Sequence, residues 1–138
     1  MFHENWYPDS QINSLVSAAN KVMHLHGKII EIGCWEGKST IAIANAVYPE
    51  NLDAVDTWLG NVNESPDHVT VTIAKTRDVF SVFLDNIRNL TKDNIQAYRK
   101  DCFEYLNNLH VDVKFCHIDA SHDYETTKKI IAMLLPRL

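Results

Sequence analysis

Segments with the apolar period of a strand alternate along this sequence with segments that have the period of a helix. The pattern predicts strands over residues 28–32, 52–56, 94–98 and 111–119. It predicts helices over residues 10–25, 38–47, 76–90, 102–109 and 123–135. Strict alternation favours a parallel sheet, because each parallel strand needs a crossover connection that is usually a helix. We therefore expect an α/β fold, a doubly wound parallel sheet of about four strands with helices on both faces.

Length and composition describe one ordinary globular domain. The 138 residues, 46% of them hydrophobic and 22% charged, are enough for a single domain over 1–138 and argue against disorder. The net charge of −5 argues against general nucleic-acid binding, which needs clustered Lys and Arg. The chain has no signal-peptide pattern and no apolar run of about 20 residues, so we expect no membrane span. Three scattered cysteines without CxxC spacing favour reduced thiols and a cytoplasmic location.

The loops that follow the strands are where such a sheet binds its ligand. These loops are Gly33–Gly37, Asp56–Asn61, Arg99–Asp101 and Asp119–Asp123. The polar stretch 60–75 after the second strand is too long for an ordinary connection, although 69–73 alternate like a strand. A lid over the ligand and a surface insertion are the two interpretations of this stretch.

The turn after the first strand carries the most informative motif. Its glycines allow a sharp turn and a close approach to a ligand, and the helix that follows offers free N–H groups. A P-loop is disfavoured, because three residues instead of four separate Gly33 from Gly37. A dinucleotide-binding turn is disfavoured too, because Trp35 would block the approach of a pyrophosphate.

Three motifs resemble class I S-adenosylmethionine-dependent methyltransferases, in the branch that contains O-methyltransferases of sugars and other small molecules. Glu31-x-Gly33-x-x-x-Gly37-x-Ser39-Thr40 resembles their motif I. Residues 55–60 resemble Val-Asp-x-Trp-x-Gly, and residues 118–125 resemble Ile-Asp-Gly-Ser-His-x-Tyr-Glu with Ala120 replacing the glycine. The resemblance covers about residues 26–135. It implies S-adenosylmethionine as cofactor, a Rossmann-like fold, and O-methylation of a small-molecule or sugar hydroxyl.

The same resemblance implies a set of cofactor-binding residues. They are Glu31, Gly33, Cys34, Trp35, Gly37, Asp56, Thr57, Trp58 and Asp101. An acidic side chain at the position of Asp56 accepts hydrogen bonds from both ribose hydroxyls. Two roles stay open for Trp58, a cover over the cofactor and a core side chain. Two also stay open for Asp101, a contact near the adenine and a cap for the next helix.

Two residues after the fourth strand are candidates for catalysis. His122 is the predicted general base, because an alcohol is not ionised at pH 7 and imidazole titrates near neutrality; a helix cap is the alternative. Asp119 is the second candidate. In catechol-type relatives an Asp at this point holds a divalent cation, so Asp119 and Asp123 are candidate Mg²⁺ ligands. Further ligands from later strands are absent from this sequence, so Mg²⁺ is a minor hypothesis. His117 lies inside the strand and is interpreted as structural.

The family fold implies more strands than this sequence supplies. It has seven in the order 3-2-1-4-5-7-6, so we expect the order 3-2-1-4 here, with strands five to seven missing and strand four at an unpaired edge. A fragment of a longer protein, a short natural form, and a homodimer that covers this edge are the three explanations. A small-molecule methyl acceptor is the expected partner, without nucleic acid or membrane. The alternative function is a non-catalytic cofactor-binding or assembly module.

Overall fold

The described part of the chain, residues 1–60, 68–120 and 123–138 of a computed structural model, contains one parallel sheet. Its strands are β1 (Lys28–Ile32), β2 (Leu52–Asp56), β3 (Ile95–Arg99) and β4 (Val113–Ile118). Their order is β3-β2-β1-β4, and each pair of neighbours is parallel. The predicted α/β class and the predicted strand order are therefore confirmed. Among the described residues β4 pairs with β1 alone, and the homodimer expected at this edge stays a prediction.

Helices cover both faces of the sheet, as the sequence predicts. They are α1 (Asp9–Lys21), α2 (Lys38–Val47), α3 (Val69–Thr76), α4 (Val79–Leu90), α5 (Cys102–Asn107) and α6 (Tyr124–Leu134), followed by a 3₁₀ turn at Leu135–Arg137. Ile30 and Ile32 of β1 pack against α5 and α6 on one face. Ile29 packs against α1 and α2 on the other face, where Ala54 of β2 meets α4. The alternation of side chains along each strand therefore builds two cores.

One segment that the sequence left without an assigned structure is helical. Residues 69–73 alternate like a strand but form the first part of α3. The helix begins at His68, whose ring accepts a hydrogen bond from the backbone N–H of Thr70, and Ile73 and Ala74 pack against the core beside α4. Burial of one helical face therefore outweighs the strand propensity of the β-branched residues. The long connection predicted over 60–75 is thus partly helical, and residues 61–67 lie outside the described residues.

No helix in the described ranges combines the length and the apolar character that crossing a bilayer demands.

At Gly33 the backbone of the turn after β1 lies against the backbone of the loop after β4. The Gly33 φ of +88° lies in the left-handed region, and a Cβ there would lie 2.2 Å from the carbonyl oxygen of Asp119. Gly37 also has a positive φ, +95°, but its Cβ would meet only the Phe83 ring and Ile41 side chain, the nearest carbon at 3.0 Å. The turn after β1 and the chain after β4 are therefore in direct contact, which brings two of the predicted ligand-binding loops together.

We expect Gly33→Ala to lower the free energy of unfolding by at least about 3 kcal/mol, because a left-handed alanine and a backbone clash add together. Gly37→Ala is the matched control and should cost about 1–2 kcal/mol, since a side chain can yield where backbone cannot. Urea denaturation of the two variants checks this. Equal losses at both positions would contradict the close approach at Gly33.

Candidate active site

A cavity of about 490 Å³ lies at the carboxyl ends of the strands. This is the place where doubly wound sheets bind ligands, and the volume is in the range of small-molecule sites. The wall is built from the loops after all four strands, namely Gly33, Cys34, Trp35, Asp56, Thr57, Asp101, Cys102, Phe103, Asp119 and Ala120. Residues ahead of α1, among them Glu4, Trp6 and Tyr7, also line it, as do His68–Thr70 at the start of α3.

Asp56 joins the turn after β1 to the turn after β2. Its Oδ2 accepts hydrogen bonds from the backbone N–H groups of Cys34 at 2.8 Å and Trp35 at 2.9 Å, and its Oδ1 accepts one from Trp58 at 2.9 Å. Burial raises the pKa of Asp56, and these backbone donors offset part of that rise. A carboxylate has about four lone-pair sites. Asp56 therefore uses much of its hydrogen-bonding capacity to hold the two turns, and its contact with the ribose hydroxyls stays a prediction.

Trp58 lies in the core behind the cavity, which is one of the two roles left open for it. Its ring packs against the rings of Phe80 and Phe83, at centroid distances of 4.6 and 4.7 Å. Its indole N–H donates to the carbonyl oxygen of Trp35 at 2.7 Å. Trp35 and Trp58 both have left-handed backbones, with φ of 51° and 58°. Bulky residues seldom adopt this conformation, so the contacts with Asp56 hold both turns in a strained shape.

Glu31 lies below the turn and not in the cavity wall. Its fully buried carboxylate accepts hydrogen bonds from the hydroxyls of Ser39 and Thr40 at the start of α2. The ring Nδ1 of His117 in β4 lies 2.9 Å from the same carboxylate. Gly37, at which α2 begins, is likewise outside the wall. Neither residue therefore lines the cavity, and a direct contact of either with the cofactor stays a prediction.

Asp101 caps α5, which is one of the two roles that the sequence left open, and its contact with adenine stays a prediction. Its carboxylate caps α5 by accepting a hydrogen bond from the backbone N–H of Phe103 at 2.8 Å. The same residue lines the cavity beside Cys102 and Phe103. The cap orients the start of α5, so that an apolar ring and a carboxylate stand side by side in the wall.

Of the candidate residues after β4, the structure describes Asp119 and Asp123. Asp119 lies in the cavity wall, and its backbone N–H donates to the carbonyl oxygen of Ile32 at 2.8 Å. Asp123 caps α6 through the backbone N–H and the hydroxyl of Thr126, which lowers the pKa of Asp123. His122, the predicted base, lies outside the described residues. Within the described ranges, no group of three His, Cys, Asp or Glu side chains is placed to hold a metal ion.

The N-terminal segment, residues 1–8, is a part of the site that the sequence analysis did not find. Arg77, at the end of α3, pairs with Glu4 at 2.6 Å and with Glu36 of the glycine turn at 3.0 Å. Glu4 also accepts from the indole N–H of Trp35 at 3.2 Å. The rings of Trp6 and Trp35 lie 5.4 Å apart. Since these partners are far apart in sequence, no local spacing could have revealed the contact.

A family model described as a methyltransferase domain matches residues 30–138. The chain belongs to this methyltransferase family. The match begins in β1 and includes the loops after all four strands, so it covers the whole cavity wall except the N-terminal part. The predicted class I architecture agrees with both the match and the strand order.

One solved structure of similar fold is a precorrin-6y C5,15-methyltransferase from Geobacter metallireducens GS-15. It has a TM-score of 0.66 at 15% sequence identity, and the match covers 100% of this chain and 61% of that chain. The similarity at this identity is one of fold, and the methyltransferase domain described here spans less than two thirds of that protein. The search of curated proteins found no match.

The family implies S-adenosylmethionine, and the wall of the cavity has chemistry that fits it. Carboxylates of Asp56, Asp101 and Asp119 are suited to hydroxyl and amino donors and to a cationic ligand. Cys102 and Phe103 add apolar surface of the kind that packs against an adenine ring. The methyltransferase domain therefore presents both the polar and the apolar contacts that a sulfonium nucleoside needs.

We expect Arg77→Met to lower the free energy of unfolding by about 3 kcal/mol, because it leaves the carboxylates of Glu4 and Glu36 close together without the arginine between them, although His3 still contacts the Glu36 carboxylate. The side chains of Arg77 and Glu36 are 25% and 2% exposed, so water compensates little. Arg88→Met is the matched control, since Arg88 pairs with Asp85 in solvent at 74% and 68% exposure. The control should cost less than about 1 kcal/mol. Chemical denaturation of both checks this, and similar losses would contradict a buried ion-pair network.

Proposed function

We propose that this methyltransferase domain catalyses transfer of a methyl group from S-adenosylmethionine to a hydroxyl oxygen of a small molecule. The observation that carries the proposal is the cavity at the carboxyl ends of the strands, where Asp56 holds the glycine turn beside a wall with two further carboxylates. Sugars are the acceptors favoured by the motif resemblance. The net charge of −5 supports a small molecule over a nucleic acid as the acceptor.

When bound, S-adenosylmethionine supplies a methyl group that is already activated by its sulfonium. The protein's part is then to align two reactants and to take a proton from the acceptor. We assign Asp56 and Thr57 to the ribose, Asp101 and Phe103 to the adenine, and the turn at Gly33, Cys34 and Trp35 to the amino-acid end. Asp119 stands where a carboxylate would orient the acceptor or the sulfonium. The motif resemblance offers His122 as one candidate for the base.

Calorimetric titration tests the cofactor directly. We expect S-adenosylmethionine and S-adenosylhomocysteine to bind and NAD to leave no heat, because Trp35 occupies the position at which a pyrophosphate would approach. Binding of NAD with equal affinity would contradict the proposal. So would the absence of any binding in a sample that melts cooperatively.

Asp56→Ala should weaken binding of S-adenosylhomocysteine at least about tenfold, because a hydrogen bond to a charged group is worth about 1.5–3 kcal/mol. Asp78→Ala is the control: Asp78 is an exposed acidic cap of α4 outside this cavity wall, and its loss should leave affinity unchanged. A thermal melt of each variant shows whether the turn is intact. Unchanged affinity in a folded Asp56→Ala protein would exclude the ribose contact.

A further inference from the structure

Tyr7, His117 and Glu31 form a continuous chain of hydrogen bonds from the cavity wall into the core. The hydroxyl of Tyr7 lies 2.9 Å from Nε2 of His117, and Nδ1 of His117 lies 2.9 Å from Oε1 of Glu31. Tyr7 lines the cavity, the His117 side chain is 16% exposed, and the Glu31 side chain is 0% exposed. The three residues come from the N-terminal segment, β4 and β1, and the parallel register places Glu31 directly beside His117.

The chemistry of Glu31 sets the direction of every proton in this chain. An ionised carboxylate is an acceptor only, so Nδ1 of His117 must carry the hydrogen that it shares with Glu31. In a neutral imidazole Nε2 is then the acceptor, and Tyr7 must donate its hydroxyl hydrogen to it. The oxygen of Tyr7 keeps its lone pairs for a donor in the cavity. The arrangement is that of a hydroxyl, a base and an orienting carboxylate.

We propose that Tyr7 and His117, oriented by Glu31, receive the proton of the methyl acceptor. This inference rests on the proposed methyl transfer and assigns its proton route. The acceptor O–H bond breaks and its proton moves to the oxygen of Tyr7, while the hydrogen of Tyr7 moves to Nε2 of His117. The acceptor oxygen bonds to the methyl carbon as the carbon–sulfur bond breaks, and that electron pair stays on sulfur. His117 ends as an imidazolium paired with Glu31.

The charges around Tyr7 and His117 agree with a role in proton transfer. The groups that face His117 are Tyr7, Glu31 and Asp119. Burial lowers the pKa of His117, but the hydrogen bond and charge of Glu31 and the charge of Asp119 outweigh it, so the pKa is raised. Burial and the two carboxylates raise the pKa of Tyr7, which keeps its hydroxyl protonated near neutrality. Tyr7 therefore passes a proton on instead of acting as a phenolate, and His117 is the group that becomes charged.

The first test is nitrogen NMR of the histidine rings in the full chain, which needs no acceptor. We expect neutral His117 to carry its proton on Nδ1, with the Nε2 resonance moving in Tyr7→Phe while Nδ1 stays protonated. A neutral His117 protonated on Nε2 would overturn the proposal, because Tyr7 would then have no acceptor in the ring.

The second test is methyl transfer to D-glucose and phenol as hydroxyl probes. We expect Tyr7→Phe and His117→Gln to lower kcat about 100-fold, with the affinity for S-adenosylhomocysteine unchanged. The wild-type kcat should rise with pH through the raised pKa of His117, above its ordinary value of about 6.5, and this rise should vanish in both variants. Loss of kcat in His122→Ala alone, with wild-type rates in Tyr7→Phe, would overturn the relay in favour of His122.

Tyr105→Phe is the matched control, because it also removes a buried tyrosine hydroxyl, bonded at 2.6 Å to Asp53 outside the cavity wall. It should lower stability and leave the pH profile in place. A profile altered equally by Tyr105→Phe would show that Tyr7 acts through stability alone and would overturn the relay. Failure of methyl transfer in the wild type on both probes would count against the proposed acceptor class, while a neutral His117 protonated on Nε2 would overturn the relay itself.

Discussion

The buried carboxylate of Glu31 is the interaction on which this arrangement depends. A charge in the middle of a central strand is costly to bury unless donors surround it, and Glu31 has the hydroxyls of Ser39 and Thr40 and the ring of His117. These contacts connect β1 to α2 and to β4, and through His117 they reach Tyr7 of the N-terminal segment. The buried carboxylate thereby connects the central strand to the helix after the glycine turn and, through His117, to one wall of the cavity.

Asp56, like Glu31, is a carboxylate that holds separate elements together, and it does so at the carboxyl ends of the strands. Its oxygens accept backbone hydrogen bonds from both loops and stabilise the left-handed conformations of Trp35 and Trp58. The ion pairs of Arg77 with Glu4 and Glu36 then connect the N-terminal segment to the same turn from outside. Three sets of charges thus hold one loop, which explains how a polar, strained turn keeps a defined shape next to a cavity that must accept a ligand.

Local patterns predicted most of the fold and the loops of the site. Apolar period was enough for the four strands, and the position of a ligand site follows from parallel topology for any such sheet. Local patterns cannot predict contacts between residues far apart in sequence. Tyr7 contacts His117 across 110 positions, and Glu4 contacts Arg77 across 73. The one usable signal was an acidic residue in a buried apolar strand, which demands a polar neighbour. Residues 69–73 could not be assigned from the sequence, because strand-like alternation also occurs on a short helix packed by one face.

The most direct test of the central claim is a nitrogen–proton NMR titration of the full chain with S-adenosylhomocysteine. If the cavity at the carboxyl ends of the strands is the cofactor site, the amide resonances of Gly33 to Glu36, Thr57 and Cys102 should shift together with one dissociation constant. Amides of residues 15–21 in α1 and of the 3₁₀ turn at Leu135–Arg137, which lie outside the cavity wall, should stay in place. Shifts confined to those distant elements, or no shifts in a folded sample, would contradict the account.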